Sequence, residues 1–325
     1  MTVLNKKYWL NKRIIVLGGA SFIGSHLVER LVELGAKVSV ADNLSTGKLE
    51  FLESVMDKIY FTHCDLRNIQ QTEDVIRGKE IVFHLAAVHG GREFISKYPA
   101  DCCQSLQINE NVFRCCSKEK NFKKIIFSSS VCVYPLAIQD GNFPPTTEKW
   151  SEQNKPDDMY GWTKLTAEKS LKAYYKQYGL KSAILRYTTV YGPRENGTHA
   201  IIALIKRTLK KENPFLVWGS GEQGRDWIYV DDVVTGTILA AEKIYDATPI
   251  NLVGTGMITI QQLIDKIFKY ISWHPKVIKY DTTKPIGPKK RLISGERAKQ
   301  LLNFKPQVSF DEGLKRTIEW VKQSS

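Results

Sequence analysis

Short apolar segments alternate with amphipathic ones along the first half of the chain. The apolar segments predict five buried strands, at residues 13–17, 37–41, 59–62, 81–85 and 124–128. Between them, apolar residues recur on one helical face over residues 21–34 and 106–118, and Gly35 ends the first of these helices. Short buried strands that are joined by helices pair in parallel through right-handed crossovers. The pattern therefore predicts an α/β fold with a doubly wound parallel sheet.

The second half of the chain is less regular. Residues 135–158 hold four prolines among polar residues, which predicts a long ordered loop of the kind that usually carries function. A helix at 159–178 and a sixth strand at 182–187 follow. Further helices and a short strand are expected at 200–210, 215–218, 232–243, 260–270, 297–302 and 311–322. This part predicts a smaller, discontinuous α/β domain that lies over the carboxyl edge of the sheet.

Length and composition fit a globular protein. The chain has 325 residues and a mass of 37.0 kDa, which suggests two domains at roughly 150 residues each. It is 42% hydrophobic and 25% charged, with a mean hydropathy of −0.28. These values exclude a disordered or collagen-like chain, and no apolar run approaches the roughly 18 residues of a spanning helix. The basic start leads into a strand that breaks at Gly18 and Gly19, so it is not interpreted as a signal peptide.

The charge balance and the cysteines limit which kinds of ligand and which cellular environment we expect. A net charge of +13 favours a ligand that bears phosphates, but the basic residues are spread along the chain without interleaved aromatic residues. We therefore expect neither nucleic acid nor a membrane as a partner. The six cysteines form no CxxC pair, and we interpret them as reduced thiols in a cytoplasmic protein that has no metal site.

A glycine-rich turn joins the first strand to the first helix. Gly18 permits the tight turn, and Gly24 lets the helix pack close to the strand, so that backbone amides can approach a pyrophosphate. Asp42 ends the second strand about 20 residues further on, where it can accept hydrogen bonds from a ribose 2′-hydroxyl. A carboxylate there repels a 2′-phosphate, and no arginine follows at residues 43–47. The pattern predicts NAD rather than NADP as the cofactor.

A second group of polar residues follows the fifth strand. Ser128, Ser129 and Ser130 stand at the strand end, and Tyr160 and Lys164 lie four residues apart on one face of the next helix. The lysine ammonium is expected to lower the pKa of the phenol, so that the tyrosine can transfer a proton near neutral pH. A serine hydroxyl can then hold the reacting oxygen of the substrate.

These motifs resemble those of a known family. The segments 18–24, 42–45, 64–66, 83–87, 128–134, 160–164, 190–193 and 224–232 are similar to those of the extended short-chain dehydrogenase/reductases, in particular the NAD-dependent nucleotide-sugar epimerases and dehydratases. The likeness runs nearly end to end. Two positions depart from the family pattern, with Leu17 where threonine is usual and Ser21 where glycine is usual.

The resemblance implies a domain division and a set of site residues. Residues 1–192 would form the NAD-binding Rossmann domain, its sheet completed by about 226–252, and residues 193–225 and 253–325 would bind the substrate. The implied cofactor-binding residues are Gly18, Ser21, Phe22, Ile23, Gly24, Asp42, Asn43, Ser45, Asp65, Leu66, Leu85, Ala86, Ala87, Ser128, Tyr160 and Lys164. The implied substrate-binding residues are Gly90, Gly91, Arg92, Ser130, Arg207, Arg225 and Arg291, of which Arg225 would contact the diphosphate. A homodimer is also implied.

Three features narrow the resemblance within the family. Val131 and Cys132 stand where dehydratases carry an acidic pair, and residues 130–135 resemble the Ser-x-Cys-x-Tyr-Pro stretch of GDP-mannose 3,5-epimerases and GDP-fucose synthases. Residues 88–95 resemble the Gly-Gly substrate loop of these 3,5-epimerases, and His199 stands where GDP-fucose synthases carry a histidine. A 4-ketone acidifies the protons at C3 and C5 of a sugar, so Cys132 and His199 would serve as the base and the acid. The resemblance thus predicts a catalytic set of Ser130, Cys132, Tyr160, Lys164 and His199, in an enzyme most similar to GDP-mannose 3,5-epimerase.

Other functions stay open at this stage. A UDP-hexose 4-epimerase would need Ser130, Tyr160 and Lys164 but not Cys132. Reduction of a GDP-keto sugar is disfavoured because Asp42 opposes NADPH, and a non-catalytic NAD-binding protein is disfavoured by the intact Ser/Tyr/Lys set. His84 and His89 are interpreted as structural. The expected substrate is a GDP- or UDP-hexose, and its sugar and nucleobase are not fixed by the sequence.

Overall fold

The computed structural model describes residues 4–153, 155–197, 199–284 and 286–324. Its strands are β1 (Arg13–Leu17), β2 (Lys37–Asp42), β3 (Ile59–His63), β4 (Ile81–His84), β5 (Lys124–Ser130), β6 (Ser182–Tyr187), β7 (Thr189–Tyr191), β8 (Phe215–Trp218), β9 (Gly224–Tyr229), β10 (Asp246–Leu252), β11 (Met257–Thr259) and β12 (Ile278–Asp281). Its helices are α1 (Lys6–Trp9), α2 (Phe22–Glu33), α3 (Ile69–Ile76), α4 (Arg92–Lys97), α5 (Pro99–Cys102), α6 (Gln104–Lys118), α7 (Trp150–Gln153), α8 (Met159–Tyr178), α9 (Ala200–Leu209), α10 (Val230–Lys243), α11 (Ile260–Ile271), α12 (Glu296–Leu302) and α13 (Phe310–Gln323).

The predicted doubly wound parallel sheet is confirmed. Seven strands pair in the order β3-β2-β1-β4-β5-β6-β10, and every pair is parallel. The chain moves outward in one direction from β1 to β3 and in the other from β4 to β10, so the order reverses between β1 and β4. In such sheets ligands bind at this reversal, beyond the carboxyl ends of the strands.

Alternating side chains on the strands build two cores. Ile14 and Val16 of β1 face a cluster with α2 and α10, whereas Ile15 and Leu17 face a cluster with α6 and α8. Helices therefore cover both faces of the sheet, which is why β1 carries apolar side chains on both faces rather than alternating with polar residues.

A second set of elements lies beyond the carboxyl edge of the sheet. Strand β9 pairs in parallel with β7 and antiparallel with β11, and β8 pairs in parallel with β12. A third apolar cluster packs α9, α11 and α13 against these strands. Of the residues expected to complete the main sheet at 226–252, only β10 does so. Strand β9 instead belongs to the smaller sheet, in which β7 and β11 pair with its two edges.

The loop predicted at 135–158 is partly helical, with a 3-10 turn at Leu136–Ile138 followed by α7. The 3-10 helix Leu49–Lys58 and the helices α3, α4 and α5 were not predicted. Among the described residues, no helix is both long enough and apolar enough to cross a bilayer.

Candidate active site

The turn between β1 and α2 is built to approach a phosphate. Gly18 has φ +81°, and a Cβ there would lie 2.9 Å from the backbone nitrogen of Ala86. A Cβ on Gly24 would lie 2.2 Å from the carbonyl oxygen of Gly18. Ser21 caps α2, since its hydroxyl donates to the Gly18 carbonyl at 2.6 Å and accepts from the Gly24 amide at 3.3 Å. The serine that replaces the usual glycine thus stabilises the helix start, and the turn fits a pyrophosphate.

Asp42 lies beside this turn at the end of β2. Its carboxylate is 8% exposed and accepts hydrogen bonds from the amides of Ala20, at 3.0 Å, and Leu44, at 2.9 Å. Burial raises the pKa of Asp42. A carboxylate has about four acceptor sites, so Asp42 can still accept from the hydroxyls of a ribose. The neighbouring Asn43 and Ser45 form an Asx turn, in which the Asn43 side chain accepts from the Ser45 amide at 3.1 Å.

Asp65 and Leu66, which were predicted to bind the cofactor, lie just after β3. Leu66 is buried, and Asp65 forms an ion pair with Arg67 at 2.6 Å, which lowers the pKa of Asp65. The amide of Cys64 donates to the carbonyl of Asp42 at 3.0 Å, so this segment lies directly beside Asp42. After β4, the amides of Leu85 and Ala86 both donate to the Leu17 carbonyl, at 2.9 and 3.0 Å. That contact holds the segment of Ala86 and Ala87 against the glycine turn.

A cleft of about 300 Å³ opens beyond the carboxyl ends of the strands. The predicted site residues that line it are Ser21, Phe22, Ile23, Leu85, Gly90, Gly91, Arg92, Ser128, Ser130, Cys132, Tyr160, Lys164, His199, Arg225 and Arg291. Arg207 does not line this cleft, and its role in substrate binding stays a prediction. Near the end of α9, Arg207 pairs with Glu212 at 2.7 Å and lies over the ring of Phe215.

Tyr160 and Lys164 come together on α8 beside the end of β5. Lys164 is 3% exposed, donates to the Ser128 carbonyl at 2.6 Å, and has its pKa lowered by burial to about 8. Burial also raises the pKa of Tyr160, although a hydrogen bond with Ser130 acts in the opposite direction. The expected lowering of the phenol pKa by Lys164 is therefore wrong for the protein alone. The ammonium lies 5.7 Å from the centre of the phenol ring and is engaged by the Ser128 carbonyl.

Cys132 lies in a 3-10 turn directly after Ser130. The hydroxyl of Ser130 accepts from the Cys132 amide at 3.1 Å and caps this turn. A Cβ on Gly161 would lie 2.3 Å from the carbonyl oxygen of Cys132, so only glycine permits the turn to approach α8 this closely. Electrostatic interaction with Cys132 acts to raise the pKa of Tyr160 and Lys164. The thiol, the phenol and the ammonium therefore share one corner of the cleft.

Two residues of the cleft were missed as functional candidates. His89 was interpreted as structural, but it lines the cleft, and its ring centre lies 5.8 Å from that of Tyr160. Burial, with Lys164 nearby, lowers the pKa of His89 to about 4. Glu195 is 3% exposed and lies 2.6 Å from Nδ1 of His199. His84, by contrast, is structural as predicted, since it is fully buried and bonded to Asn109.

Three arginines converge at another part of the cleft. Burial lowers the pKa of Arg225 to about 9, and the charges of Arg291 and Arg92 act in the same direction. Arg92 pairs at 2.9 Å with Asp158, the residue that caps α8 by accepting from the Gly161 amide. Such a concentration of guanidinium groups fits a diphosphate. Among the described residues, no group of three or more His, Cys, Asp and Glu side chains could hold a metal ion.

A doubly wound sheet with a phosphate-binding turn, an acidic residue after β2 and a Tyr–Lys pair beside a cleft defines an extended short-chain dehydrogenase/reductase. The family model of the NAD dependent epimerase/dehydratase family matches residues 14–252. The chain belongs to this family and is an NAD-dependent nucleotide-sugar epimerase.

The similarity to known relatives extends over nearly the whole chain. It is 31% identical over 317 residues to a putative UDP-glucose 4-epimerase of Methanocaldococcus jannaschii, covering 96% of this chain and 99% of that one. It is 27% identical over 328 residues to GDP-mannose 3,5-epimerase of Arabidopsis thaliana, covering 98% of this chain and 85% of that one. Among solved structures, it resembles UDP-glucuronic acid 4-epimerase from Bacillus cereus in complex with UDP-glucuronic acid and NAD. The TM-score is 0.86 at 27% identity, covering 96% of this chain and 99% of that one.

Proposed function

We propose that the protein inverts C4 of a UDP-hexose through a transient 4-keto sugar. The observation that carries this proposal is the convergence of Ser130, Tyr160 and Lys164 at one corner of the cleft. The 4-epimerases among the relatives support inversion at C4 over the 3,5-epimerisation predicted from the sequence motifs.

Each residue of the proposed set has a distinct task. Ser130 holds the C4 hydroxyl by a hydrogen bond, and Tyr160 accepts its proton as the C–H bond at C4 breaks. When bound, NAD supplies the hydride acceptor and donor, and its nicotinamide ring carries a positive charge. The Lys164 ammonium, 5.7 Å from the centre of the phenol ring, would add a second positive charge, and with NAD bound the two charges would favour the phenolate that accepts the proton. After the keto sugar rotates, return of the hydride to the opposite face of C4 and of the proton from Tyr160 to the C4 oxygen would complete the inversion.

The remaining tasks are binding. Gly18, Gly24 and the start of α2 would hold the pyrophosphate of NAD, and Asp42 would hold its adenosine ribose. Arg225 and Arg291 would hold the diphosphate of the sugar nucleotide, and Arg92, which lines the same cleft, is held in place by its ion pair with Asp158. We further propose the domain division at residue 192 that the sequence suggested, with the cleft between the two parts.

The test is incubation of the purified protein in D2O with UDP-glucose, UDP-galactose, UDP-glucuronate and GDP-mannose, followed by proton NMR. Inversion at C4 of a UDP sugar without deuterium at C3 or C5 is the expected result. If GDP-mannose alone reacts, the assignment of the nucleotide is wrong. If no sugar nucleotide reacts with protein that binds NAD, the proposed activity is wrong.

A second candidate is epimerisation at C3 or C5, which Cys132 favours because its turn contacts α8 beside Tyr160. In that reaction Cys132→Ala should abolish deuterium incorporation at C3 and C5 and leave oxidation at C4 intact. For simple C4 inversion, Cys132→Ala should keep turnover within about threefold, in the range of a small packing change. The matched control is Cys103→Ala, because Cys103 is partly exposed and does not line the cleft.

A further inference from the structure

The amino ends of the parallel strands lie at the edge of the main sheet opposite the cleft. Because all strands of this sheet run in the same direction, the residues that begin them stand side by side. Backbone hydrogen bonds join these residues across the strands. The Lys37 amide donates to the Lys12 carbonyl, the Glu80 amide to the Arg13 carbonyl and the Lys123 amide to the Glu80 carbonyl, each at 2.8 Å. This edge therefore gathers residues that are far apart in the sequence.

Most of the gathered residues are basic. The amino-edge patch is defined as the basic residues just before or at the start of β1, β2, β4, β5 and β6 whose side chains are at least partly exposed, namely Lys12, Arg13, Lys37, Lys79, Lys123 and Lys181. In the sequence these charges are scattered, which argued against a membrane as a partner. The parallel sheet brings them to one face of the molecule.

The carboxylate of Glu80 lies among these cations. Its oxygens are 2.6 Å from Nζ of Lys123, 3.8 Å from Nζ of Lys12 and 3.8 Å from Nε of Arg13. The other three lysines of the patch form no ion pair with a described residue. The contact with Lys123 lowers the pKa of Lys12. The patch therefore holds more positive charge than Glu80 balances, and a bound anion would relieve the repulsion.

Exposed apolar side chains stand beside the patch. Leu10 lies against Gly35, next to the start of β2, and Tyr178 lies at the end of the helix that leads into β6. Tyr245 is also exposed, and Nζ of Lys181 lies 5.9 Å from the centre of its ring. Lysines beside exposed leucine and tyrosine side chains match the boundary of an anionic membrane, where cations meet phosphates and apolar side chains enter the acyl region.

We propose that the amino-edge patch binds the surface of an anionic membrane through the phosphate groups of its lipids. The cleft lies beyond the carboxyl ends of the same strands, so a membrane-bound molecule would still exchange sugar nucleotides with the solvent. Nucleic acid is the less suitable partner. All but one of the cations are lysines, which lack the planar fork of arginine, and Leu10 would find no apolar surface on a phosphate backbone.

The test is co-sedimentation of the full-length protein with lipid vesicles at low salt. Vesicles of phosphatidylglycerol and phosphatidylcholine in equal parts should bind the protein, whereas vesicles of phosphatidylcholine alone should not. Each basic residue near an anionic surface contributes about fivefold to binding, so removal of three should weaken binding about 100-fold. The triple variant for this measurement is Lys37→Gln, Lys123→Gln, Lys181→Gln.

A matched triple variant removes the same net charge from exposed lysines beyond the carboxyl edge of the sheet. Two of them lie just before or in β12, and one lies in α13, and the variant is Lys276→Gln, Lys279→Gln, Lys315→Gln. It should bind the anionic vesicles as the wild type does. Equal losses in the two triple variants would mean that net charge alone attracts the protein, and the patch would be excluded as a binding site.

Further measurements separate the membrane from other phosphate-bearing ligands. If duplex DNA binds as tightly as the vesicles at equal phosphate concentration, the membrane assignment is wrong. Leu10→Ser should weaken binding to the vesicles, and an unchanged affinity would contradict the proposed contact with lipid. Inorganic phosphate should not displace the protein, since displacement would assign the patch to a small phosphate ligand. Turnover without vesicles should be the same in all variants, so failure of vesicle binding leaves the proposed C4 inversion intact.

Discussion

Tyr160 shows how the environment of a single side chain sets its chemistry. The phenol is surrounded by protein, and burial raises its pKa, while the hydrogen bond with Ser130 lowers it. Lys164 is itself easier to deprotonate than an ordinary lysine, with a pKa of about 8. The pair is therefore a buried acid and a buried base whose charges depend on what binds next to them.

The first prediction concerns the transferable proton of Tyr160. Tyr160→Phe should reduce turnover by about 10²- to 10⁴-fold, the usual contribution of a positioned acid or base, and leave NAD binding near normal. Turnover is measured by NMR and NAD affinity by calorimetry. The matched control is Tyr174→Phe, on the same helix, whose hydroxyl donates to Glu110 outside the cleft. Retained turnover in the Tyr160 variant would contradict the proposed mechanism.

Strand β5 carries unlike groups at its two ends. Its carboxyl end supplies Ser128 and Ser130 to the cleft, whereas its first residue, Lys124, is 1% exposed. The Lys124 ammonium donates to the Ala241 carbonyl and lies 3.2 Å from the centre of the Tyr245 ring. Burial lowers the pKa of Lys124 to about 7. One end of β5 thus lines the cleft, and the other end carries a buried amine that has no role in the proposed reaction.

The second prediction is that this amine makes stability depend on pH. The pKa of Lys124 is near 10.5 in the unfolded chain and about 7 in the folded protein. Between these values the unfolded state binds more protons, so stability from Lys124 rises with pH, by at most about 1.4 kcal/mol per pH unit. Lys124→Met should remove this slope from urea unfolding curves recorded between pH 7 and 10. The control Lys123→Met replaces a half-exposed neighbour and should keep the slope.

At the scale of helices and strands, the sequence predicts those elements that a local pattern of residues defines. The strands β1, β2, β4, β5 and β6 are short segments rich in apolar residues, which the sequence alone can show. Strands β7 and β11 have three residues each, too few to show a period, and they pair with β9 from other parts of the chain. The predicted strand positions in the main sheet therefore agree with the structure, and the small sheet was missed.

The same difference between local patterns and long-range contacts explains which site residues could be predicted from the sequence. The glycine turn, Asp42, Tyr160 and Lys164 are recognisable because their spacing along the chain reflects one strand or one helix. His89 contacts Tyr160, and Glu195 contacts His199, and both His89 and Glu195 stand in loops. Loop residues have no regular spacing, so the sequence alone does not show where their side chains lie in the folded chain. The doublet of Gly90 and Gly91 after His89 is the one signal that suggested close approach to a ligand.

At the scale of the whole molecule, the proposed function divides recognition between two parts of the chain. The residues proposed to hold NAD and the Tyr–Lys pair come from the first part, and Arg225 and Arg291, proposed to hold the diphosphate, come from the second. Arg92 from the first part lies near enough to act on the pKa of Arg225, so both parts contribute positive charge to the cleft. The predicted homodimer and cytoplasmic location stay predictions.

The third prediction concerns this shared cleft. UDP should raise the melting temperature of the protein, because a ligand that bridges both parts binds only the folded state. Arg225→Gln should weaken UDP binding at least tenfold by calorimetry, since it removes a charge-assisted contact. The control Arg297→Gln lies outside the cleft, beside Pro249, and should bind UDP normally. Equal affinities in the two variants would exclude Arg225 from the diphosphate site.

Because residue 161 is a glycine without a side chain, the sugar preference of this enzyme can change only in certain parts of the cleft. Because the turn that carries Cys132 rests on the backbone of α8 there, the serine, the thiol, the tyrosine and the lysine form one rigid block. New sugar preferences are therefore difficult to reach by changes inside that block. They are more accessible in the segments that face it, residues 88–95, 193–197 and 199, where a substitution alters the shape offered to the sugar while the reacting groups keep their places.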